Sequence, residues 1–148
     1  MKKIILLIIT ILWMIVIFIL SNQDASKSAD YSDSLIKSTI VNIYKLFNNN
    51  PTEEKIEEIV ETWDLPVRKL AHLTEYFILG VLMFLTLNSY NIKIIYIVIL
   101  LCFLYAVFDE IHQLFVIGRD GNIIDVLIDT LGSTLGVFLV KRKKNEVY

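Results

Sequence analysis

Four long apolar segments constrain the fold of this chain more than any other feature of its sequence. They occupy residues 4–20, 70–87, 92–108 and 123–140. Because a helix needs about 20 apolar residues to cross the hydrocarbon core of a bilayer, each segment has nearly the length of a transmembrane helix. With 55% hydrophobic and 20% charged residues, the composition is too apolar for an ordinary soluble domain. The sequence therefore predicts one all-α membrane domain over residues 1–148, built as a four-transmembrane-helix bundle.

Charged and polar residues define the ends of the first and third apolar segments. Lys93 can extend its charged group to the interface, which lets Ile92 join the third span. The first segment follows Lys2 and Lys3, as in a signal peptide, but it is long and no A-x-A-like cleavage site follows it. We therefore expect a retained first helix. Cys102 stands alone within an apolar segment, so it has no partner for an intramolecular disulfide, and we expect it in the core.

The basic residues orient the chain. They flank one side of the four predicted spans, at Lys2, Lys3, Lys93 and the run 141–144. The positive-inside rule makes that side cytoplasmic, which predicts a multi-pass membrane protein with both termini inside. The loop 21–67 then lies outside. Between residues 21 and 65 it carries nine acids against four lysines, a local charge of −5.

The outer loop has two groups of apolar residues at helical spacing. The first group is Ile36, Ile40, Ile43, Tyr44 and Phe47, and the second is Ile56, Ile59, Val60 and Trp63. This spacing predicts two short amphipathic helices, which either pack over the bundle or lie on the membrane surface. The turn between them is predicted at residues 48–51. Asn50 is the expected N-cap of the second helix, with Pro51 in its first turn and Glu53 three residues after the cap.

The predicted topology gathers polar residues at the outer ends of the spans. These residues are Ser21, Asn22 and Gln23 after the first helix, Arg68, Lys69, His72, Glu75 and Tyr76 in the second, Asp109, Glu110, His112 and Gln113 in the third, and Arg119, Asp125 and Asp129 around the start of the fourth. If the second helix begins near Pro66, Glu75 lies about 13 Å along it. An unpaired charge at that depth costs at least about 2.5 kcal/mol, so Glu75 should face the bundle.

Helical spacing indicates which of these residues share a face. The three predicted stripes are Lys69 with His72 and Tyr76, Asp109 with His112 or Gln113, and Asp125 with Asp129, Gly132 and Gly136. Their convergence would form one pocket in the outer leaflet. The glycines of the last stripe form a small-xxx-small pattern, which favours close approach of another helix.

Four interpretations of the polar cluster remain open. In an enzyme, the candidate catalytic residues are His72, Glu75, Asp109 and His112, with a histidine as general acid or base. In a binding protein, the candidate ligand-binding residues are Arg68, Lys69, Tyr76, Glu110, Gln113, Arg119, Asp125, Asp129, Ser21 and Gln23. A metal site has suitable ligand types but no H-E-x-x-H or Cys-rich spacing, so metal and cofactor stay undetermined. The fourth interpretation is a polar network that only fixes helix register.

Taken together, the motifs resemble the VanZ-like family of bacterial membrane proteins. The resemblance rests on Phe18, Ser21 and Gln23, on Lys69-x-x-His72-x-x-Glu75-Tyr76-x-x-x-Gly80, on Asp109-Glu110-x-His112-Gln113 followed by Arg119, and on Asp125-x-x-x-Asp129-x-x-Gly132-x-x-x-Gly136. It covers nearly the whole chain except residues 24–65. Asp129 is a departure, because the family commonly has Asn at this place.

The resemblance implies a role in the cell envelope. The founding member of the family is associated with teicoplanin resistance, and no reaction is assigned to the family. The expected partners are therefore membrane lipids, a lipid-linked cell-wall precursor or a lipoglycopeptide, and no nucleic acid. Binding of such an amphipathic anion at the outer leaflet is the leading interpretation. A hydrolase or transferase that uses a His-carboxylate pair and a purely structural protein are the alternatives.

Overall fold

Five α-helices make up the computed structural model within the described residues 1–47, 50–92 and 94–145, and these ranges contain no strand. The helices are α1 Lys2–Ser21, α2 Ala25–Leu46, α3 Glu53–Ser89, α4 Ile95–Gln113 and α5 Ile123–Asn145. Asn48 and Asn49 of the predicted turn and Lys93 of the predicted third span lie outside the described residues. The side chains of Lys143 and Lys144, in the predicted basic run, are also outside them.

Four of the helices are long and apolar enough to cross a membrane. They are Lys2–Ser21, Glu53–Ser89, Ile95–Gln113 and Ile123–Arg142. The prediction of an all-helical membrane protein with four spans is therefore confirmed. The second span differs in length from the prediction, because α3, which contains it, has 37 residues. At a rise of 1.5 Å per residue it extends about 55 Å, well beyond the roughly 30 Å of a hydrocarbon core.

The start of α3 corrects two expectations. The predicted second amphipathic helix is not a separate element, because residues 56–63 are the first turns of α3 and Pro66 lies inside the helix. Proline removes one backbone donor from a helix, but packing of the preceding turns against α2 stabilises the continuation. The N-cap is Thr52 and not Asn50, since the Thr52 Oγ1 accepts a hydrogen bond from the Lys55 backbone N–H at 3.3 Å.

The helix α2 and the first part of α3 form an antiparallel hairpin. Ile36 and Ile40 of α2 share a buried apolar cluster with Ile56 and Val60 of α3. Nearer the bundle, the Ser32 hydroxyl donates a hydrogen bond to the Asp64 carboxylate. The segment predicted to hold two short helices is therefore one 22-residue helix packed on an extension of the second span.

The first helix is part of the bundle. The Thr10 and Thr86 hydroxyls lie 2.7 Å apart, and the Trp13 Nε1 donates to the Glu75 carbonyl oxygen at 3.0 Å. These contacts run in opposite order along the two helices, so α1 and α3 are antiparallel. The Tyr105 hydroxyl of α4 donates to a backbone carbonyl of α1 at 2.6 Å.

The closest helix packing joins α3 and α5. A Cβ atom added at Gly132 would collide with the carbonyl oxygen of Leu73, and one added at Gly136 would collide with that of Phe77. Gly80 makes an equally close approach from α3 to the backbone of α5. Because the contacts advance together along both helices, α3 and α5 run parallel. The close approach predicted from the small-xxx-small pattern is present at this interface.

The bundle core is small and apolar. Ile17, Tyr76, Leu79 and Cys102 have no exposed surface and share one cluster between α1, α3 and α4. Cys102 is therefore a core residue, as expected. Many large apolar side chains of the four spans remain exposed, which is the arrangement expected where lipid and not water surrounds the helices.

Candidate functional site

A chain of hydrogen bonds crosses the end of the bundle where α1 and α4 finish. Asp109 is fully buried, and its Oδ2 accepts from the Ser21 Oγ at 2.7 Å and from the Gln113 Nε2 at 3.4 Å. The Gln113 Oε1 accepts from the Arg119 Nη1 at 3.2 Å. The Arg119 Nε in turn donates to the Gln23 carbonyl oxygen at 3.0 Å. Five predicted site residues are thus joined, and the chain holds Arg119 in a fixed orientation.

The guanidinium group of Arg119 has an unusual electrostatic setting. Its hydrogen-bond acceptors are a backbone carbonyl and a side-chain amide, both of which are neutral. Partial burial lowers the pKa of Arg119, and the nearby Arg68 cation lowers it further, whereas Asp109, Glu110 and Glu75 act in the opposite direction. None of the ion pairs within the described residues includes Arg119. An arginine remains protonated at neutral pH, so this charge is available to an anion.

Two charged or ionisable pairs connect α3 to α5. The Lys69 Nζ lies 2.9 Å from the Asp125 Oδ1, and both side chains are about one quarter exposed. One turn further, the His72 Nδ1 lies 3.7 Å from the Oδ1 of the fully buried Asp129. That distance is too long for a direct hydrogen bond. The stripes predicted for the second and fourth spans therefore do face each other, with Lys69 beside Asp125 and His72 beside the buried Asp129.

Several buried polar atoms have no hydrogen-bond partner among the described residues. They are the His72 Nδ1, the Tyr76 hydroxyl, one oxygen each of Asp109 and Glu110, and both oxygens of Asp129. A buried carboxylate without a donor is costly, so protonation or an internal water is the expected way to satisfy Asp129. This set forms a polar layer beneath the surface of the site.

Glu110 has a structural contact. Its Oε2 accepts from the Asn122 backbone N–H at 2.7 Å, directly before the start of α5. Unpaired N–H groups at a helix start need such acceptors. Glu110 therefore fastens the α4–α5 connection that carries Arg119.

His112 lies apart from the other candidate catalytic residues. Its ring packs against Phe18 with the ring centroids 4.5 Å apart, and its Nε2 lies 3.1 Å from the Asn22 Oδ1. Asp109, one of its two predicted partners, bonds instead to Ser21 and Gln113. The structure therefore brings His72 and Glu75 to one side of the bundle end and places His112 against α1.

A polar cavity of about 430 Å³ opens between the end of α1, the start of α2 and the middle of α3. Its lining is Leu20, Ser21, Gln23, Ser28, Tyr31, Ser32, Leu35, Val67, Arg68, Ala71, His72, Glu75 and Arg119. Six predicted site residues are in this set. Asp109, Tyr76, Glu110, Gln113 and Asp129 are buried behind it. The predicted residues thus separate into cavity-lining groups and groups that support them.

The wall supplied by α2 was missed from the sequence. Ser28, Tyr31, Ser32 and Leu35 follow one another at positions i, i+3, i+4 and i+7, which places them on one helix face. That spacing was a usable signal. Serine and tyrosine at such positions are also common on solvated helices, so the signal is weak without the tertiary contacts.

A smaller cavity of about 150 Å³ adjoins the first one. Its lining is Ala25, Leu65, Arg68, Lys69, His72, Gln113, Gly118, Arg119, Asp120 and Asp125. Arg68, His72 and Arg119 line both cavities. These three side chains therefore form a partition with cationic or ionisable groups accessible from two sides. Among the described residues, no group of three or more His, Cys, Asp or Glu side chains is arranged to hold a metal.

The fold and this site define a polytopic helical membrane protein with an organised polar cavity at one end of its bundle. The VanZ/LLP1 family model matches residues 6–144. The chain therefore belongs to the VanZ/LLP1 family, as the motifs predicted. No curated protein and no solved structure matches the chain.

Proposed function

We propose that this member of the VanZ/LLP1 family binds the anionic headgroup of an amphipathic or lipid-linked ligand in its polar cavity. The observation that carries the proposal is the setting of Arg119. Its guanidinium is oriented by two neutral acceptors, at 3.0 and 3.2 Å, in the wall of the cavity. A charge that is held in place without an ion-pair partner favours binding of an anion from outside the protein.

A second cation strengthens the case. Arg68 lines the same cavity, and its Nη1 lies 3.9 Å from the nearest oxygen of Asp64. With side chains about one third exposed, such a pair contributes little and gives way easily to a stronger anion. Glu75 is the one acid in the cavity lining, against two arginines. Phosphate fits this arrangement, because guanidinium groups bind its oxygens in bidentate geometry.

The proposed location of the site is the outer leaflet of the bacterial cell membrane. The basic residues at both termini support this orientation through the positive-inside rule. Lipid-linked wall precursors, phospholipid headgroups and lipoglycopeptides are all encountered at that surface. Cysteine labelling from outside intact cells tests it: Tyr31→Cys should react with an impermeant reagent, and Lys2→Cys should not.

Binding is tested with dodecyl phosphate and the uncharged dodecyl maltoside on protein in zwitterionic lipid nanodiscs, using native mass spectrometry. We expect saturable binding of the phosphate alone. Arg119→Gln should weaken it about 10- to 100-fold, the range of one charge-assisted hydrogen bond. Lys55→Gln is the matched control, because Lys55 is an exposed cation of α3 that pairs with Glu58 away from the cavity. Equal binding of both amphiphiles, or equal effects of both substitutions, would contradict the proposal.

An enzymatic role is the second candidate, favoured by one observation. His72 lines the cavity and stands 3.7 Å from the buried Asp129, an arrangement from which a histidine can act as general base. The corresponding function is a hydrolase or transferase that acts on an envelope lipid. Incubation of the purified protein with extracted envelope lipids should then yield a new lipid species by mass spectrometry. His72→Gln should abolish the product while headgroup binding persists.

The proposed physiological consequence of this binding is protection against teicoplanin. A receptor for amphipathic anions at the outer leaflet would capture a lipid-bearing glycopeptide or alter its access to wall precursors. We expect a susceptible Gram-positive host that expresses the protein to need more teicoplanin for inhibition, with no change for vancomycin. Arg119→Gln, at the same membrane level, should remove the difference. If the wild-type protein did not change the inhibitory concentration of teicoplanin for the host, envelope lipids would remain as the candidate ligands.

A further inference from the structure

We propose that the apolar chain of the bound ligand leaves the polar cavity along an apolar groove between α2 and α3 and does not remain in the bilayer. This inference rests on the proposed headgroup site and adds the location of the tail. It makes the α2–α3 hairpin a receptor for one hydrocarbon chain. Three features of the groove support this location of the tail: its lining, its continuity with the polar cavity and its position along α3.

The α2–α3 groove has a volume of about 460 Å³ and an almost wholly apolar lining. Its lining residues are Leu35, Ile36, Thr39, Ile40, Ile43, Ile59, Trp63 and Val67. Thr39 is the one polar side chain among them. A lining of this kind binds hydrocarbon and offers nothing to a charged group.

The groove and the polar cavity are continuous. Leu35 of α2 and Val67 of α3 line both of them. Arg68 follows Val67 directly, so the cationic wall begins where the apolar lining ends. One end of this combined site is cationic and the other is apolar. This polarity is complementary to a single amphipathic anion lying lengthwise along the hairpin.

The position of the groove separates it from the hydrocarbon core. Its α3 residues, Ile59, Trp63 and Val67, precede Lys69, which is paired with Asp125 at the polar end of the bundle. A span of about 20 residues that ends at Ser89 is already complete at about residue 70. The groove therefore lies on the part of α3 that exceeds the length of a span.

Exposed apolar side chains in the groove need a cover that the bilayer does not supply. Leu35 is 62% exposed, Trp63 is 55% exposed and Ile43 is 48% exposed. A contiguous apolar surface of this kind outside the membrane marks a binding site. A ligand whose headgroup is bound at Arg68 and Arg119 can extend its hydrocarbon tail directly onto this surface. We therefore assign that tail as the occupant of the groove.

Trp63 provides a direct probe of the tail. The chain has two tryptophans, so Trp13→Phe leaves Trp63 as the sole one. The experiment titrates this variant, in zwitterionic lipid nanodiscs, with dodecyl phosphates that carry bromine either in mid-chain or beside the headgroup. We expect saturable quenching of Trp63 by the mid-chain label and much weaker quenching by the other. Each methylene added to a series of unlabelled alkyl phosphates should tighten binding about fourfold until the groove is filled.

Substitutions separate the groove from the headgroup site. Ile43→Gln should lower the affinity for dodecyl phosphate at least tenfold and reduce quenching. Leu46→Gln should change neither, because Leu46 is a highly exposed aliphatic residue of α2 that does not line the groove. Arg119→Gln should move the quenching curve to concentrations about 10- to 100-fold higher, since the tail is brought to the groove by its headgroup.

Three results would overturn the inference in distinguishable ways. Tight, Arg119-dependent binding without quenching of Trp63 would place the tail elsewhere and leave the headgroup site intact. A brominated alkyl maltoside serves as the comparison ligand. If it quenched Trp63 as strongly as the brominated phosphate did, with or without Arg119, the groove would be a general hydrocarbon site. If Arg119→Gln changed neither the binding of dodecyl phosphate nor the quenching of Trp63, the headgroup site itself would be refuted.

Discussion

Lys69 of α3 and Asp125 of α5 form an ion pair, with the Nζ 2.9 Å from the Oδ1, at the polar end of the α3–α5 interface. Beyond it, His72 stands beside Asp129, and the backbones then come together at Gly132. The interface thus has its polar groups at one end and its glycines along the apolar part. This order sets the parallel register of the two helices and with it the position of the cavity wall.

Removal of one partner of this ion pair should destabilise the bundle. Lys69→Gln leaves Asp125 without its donor, and because the pair is about one quarter exposed we expect a loss of about 1–2 kcal/mol. The combined variant with Asp125→Asn should recover most of it, since no charge is then unpaired. Reversible unfolding in lipid–detergent micelles measures both values. A full additive loss in the double variant would show that the two side chains do not interact.

Addition of one methyl group at Gly132 should disrupt the bundle. The new Cβ of Gly132→Ala would collide with the backbone carbonyl oxygen of Leu73, and backbone cannot move aside as a side chain does. We expect a loss of about 2–3 kcal/mol and poor accumulation in the membrane. Gly121→Ala is the milder comparison, because its nearest contact is the exposed side chain of Leu114, which can rotate away. Its nearest backbone atom, the Glu110 carbonyl oxygen, would lie 3.1 Å from the new Cβ, farther than the Leu73 oxygen would lie at Gly132. Similar melting temperatures for the two variants would contradict this interpretation.

The buried Asp109 should tolerate an amide far better than an aliphatic side chain. Asp109→Asn keeps an oxygen that accepts from Ser21 and Gln113, so stability should change by less than about 1 kcal/mol. Asp109→Leu leaves both donors buried and unpaired, at a cost of about 2–4 kcal/mol. Thermal unfolding followed by tryptophan fluorescence measures the difference. Binding of dodecyl phosphate should weaken in the leucine variant too, because Gln113 no longer orients Arg119.

The hydroxyl pair Thr10–Thr86 should couple α1 to α3. Its oxygens lie 2.7 Å apart, and both side chains are 2% exposed. A double-mutant cycle with Thr10→Val and Thr86→Val should give a coupling energy of about 0.6 kcal/mol, and no more than about 1.7, as for other interhelical hydrogen bonds in membranes. Equilibrium unfolding of the four proteins provides the cycle. A coupling energy of zero would mean that each hydroxyl is satisfied within its own helix, and Thr10 already donates to the Leu6 carbonyl oxygen.

Periodicity predicted the parts of this structure that depend on one helix at a time. The stripe that contains Asp125 and Gly132 faces α3 because residues at i and i+7 share a helix face in any bundle. The alternating direction of the spans separately predicted that polar residues of all four lie at one end. Periodicity could not choose between His112 and Gln113 as the partner of Asp109, because that choice depends on the rotation of α4 against α1.

The predictions that were wrong concern parts of the structure that depend on packing between helices. The second span was assumed to begin near Pro66, but α3 begins at Glu53 because its first turns are stabilised by packing against α2. The segment predicted as a loop with two short helices is therefore a long helical hairpin. The wall that Ser28 and Tyr31 contribute to the polar cavity was missed with it, since it exists only when α2 folds back on α3.

The parallel packing of α3 and α5 also bears on how the chain enters the membrane during translation. An aspartate in an inserting helix is unfavourable, by up to about 3.5 kcal/mol at the helix centre. Because α3 precedes α5 in the chain, Lys69 and His72 are in place before Asp125 and Asp129 emerge from the ribosome. The fourth span to be made thus meets electrostatic partners that belong to the second span, which is synthesised before it. We therefore expect the order of synthesis to lower the barrier to inserting the acidic helix.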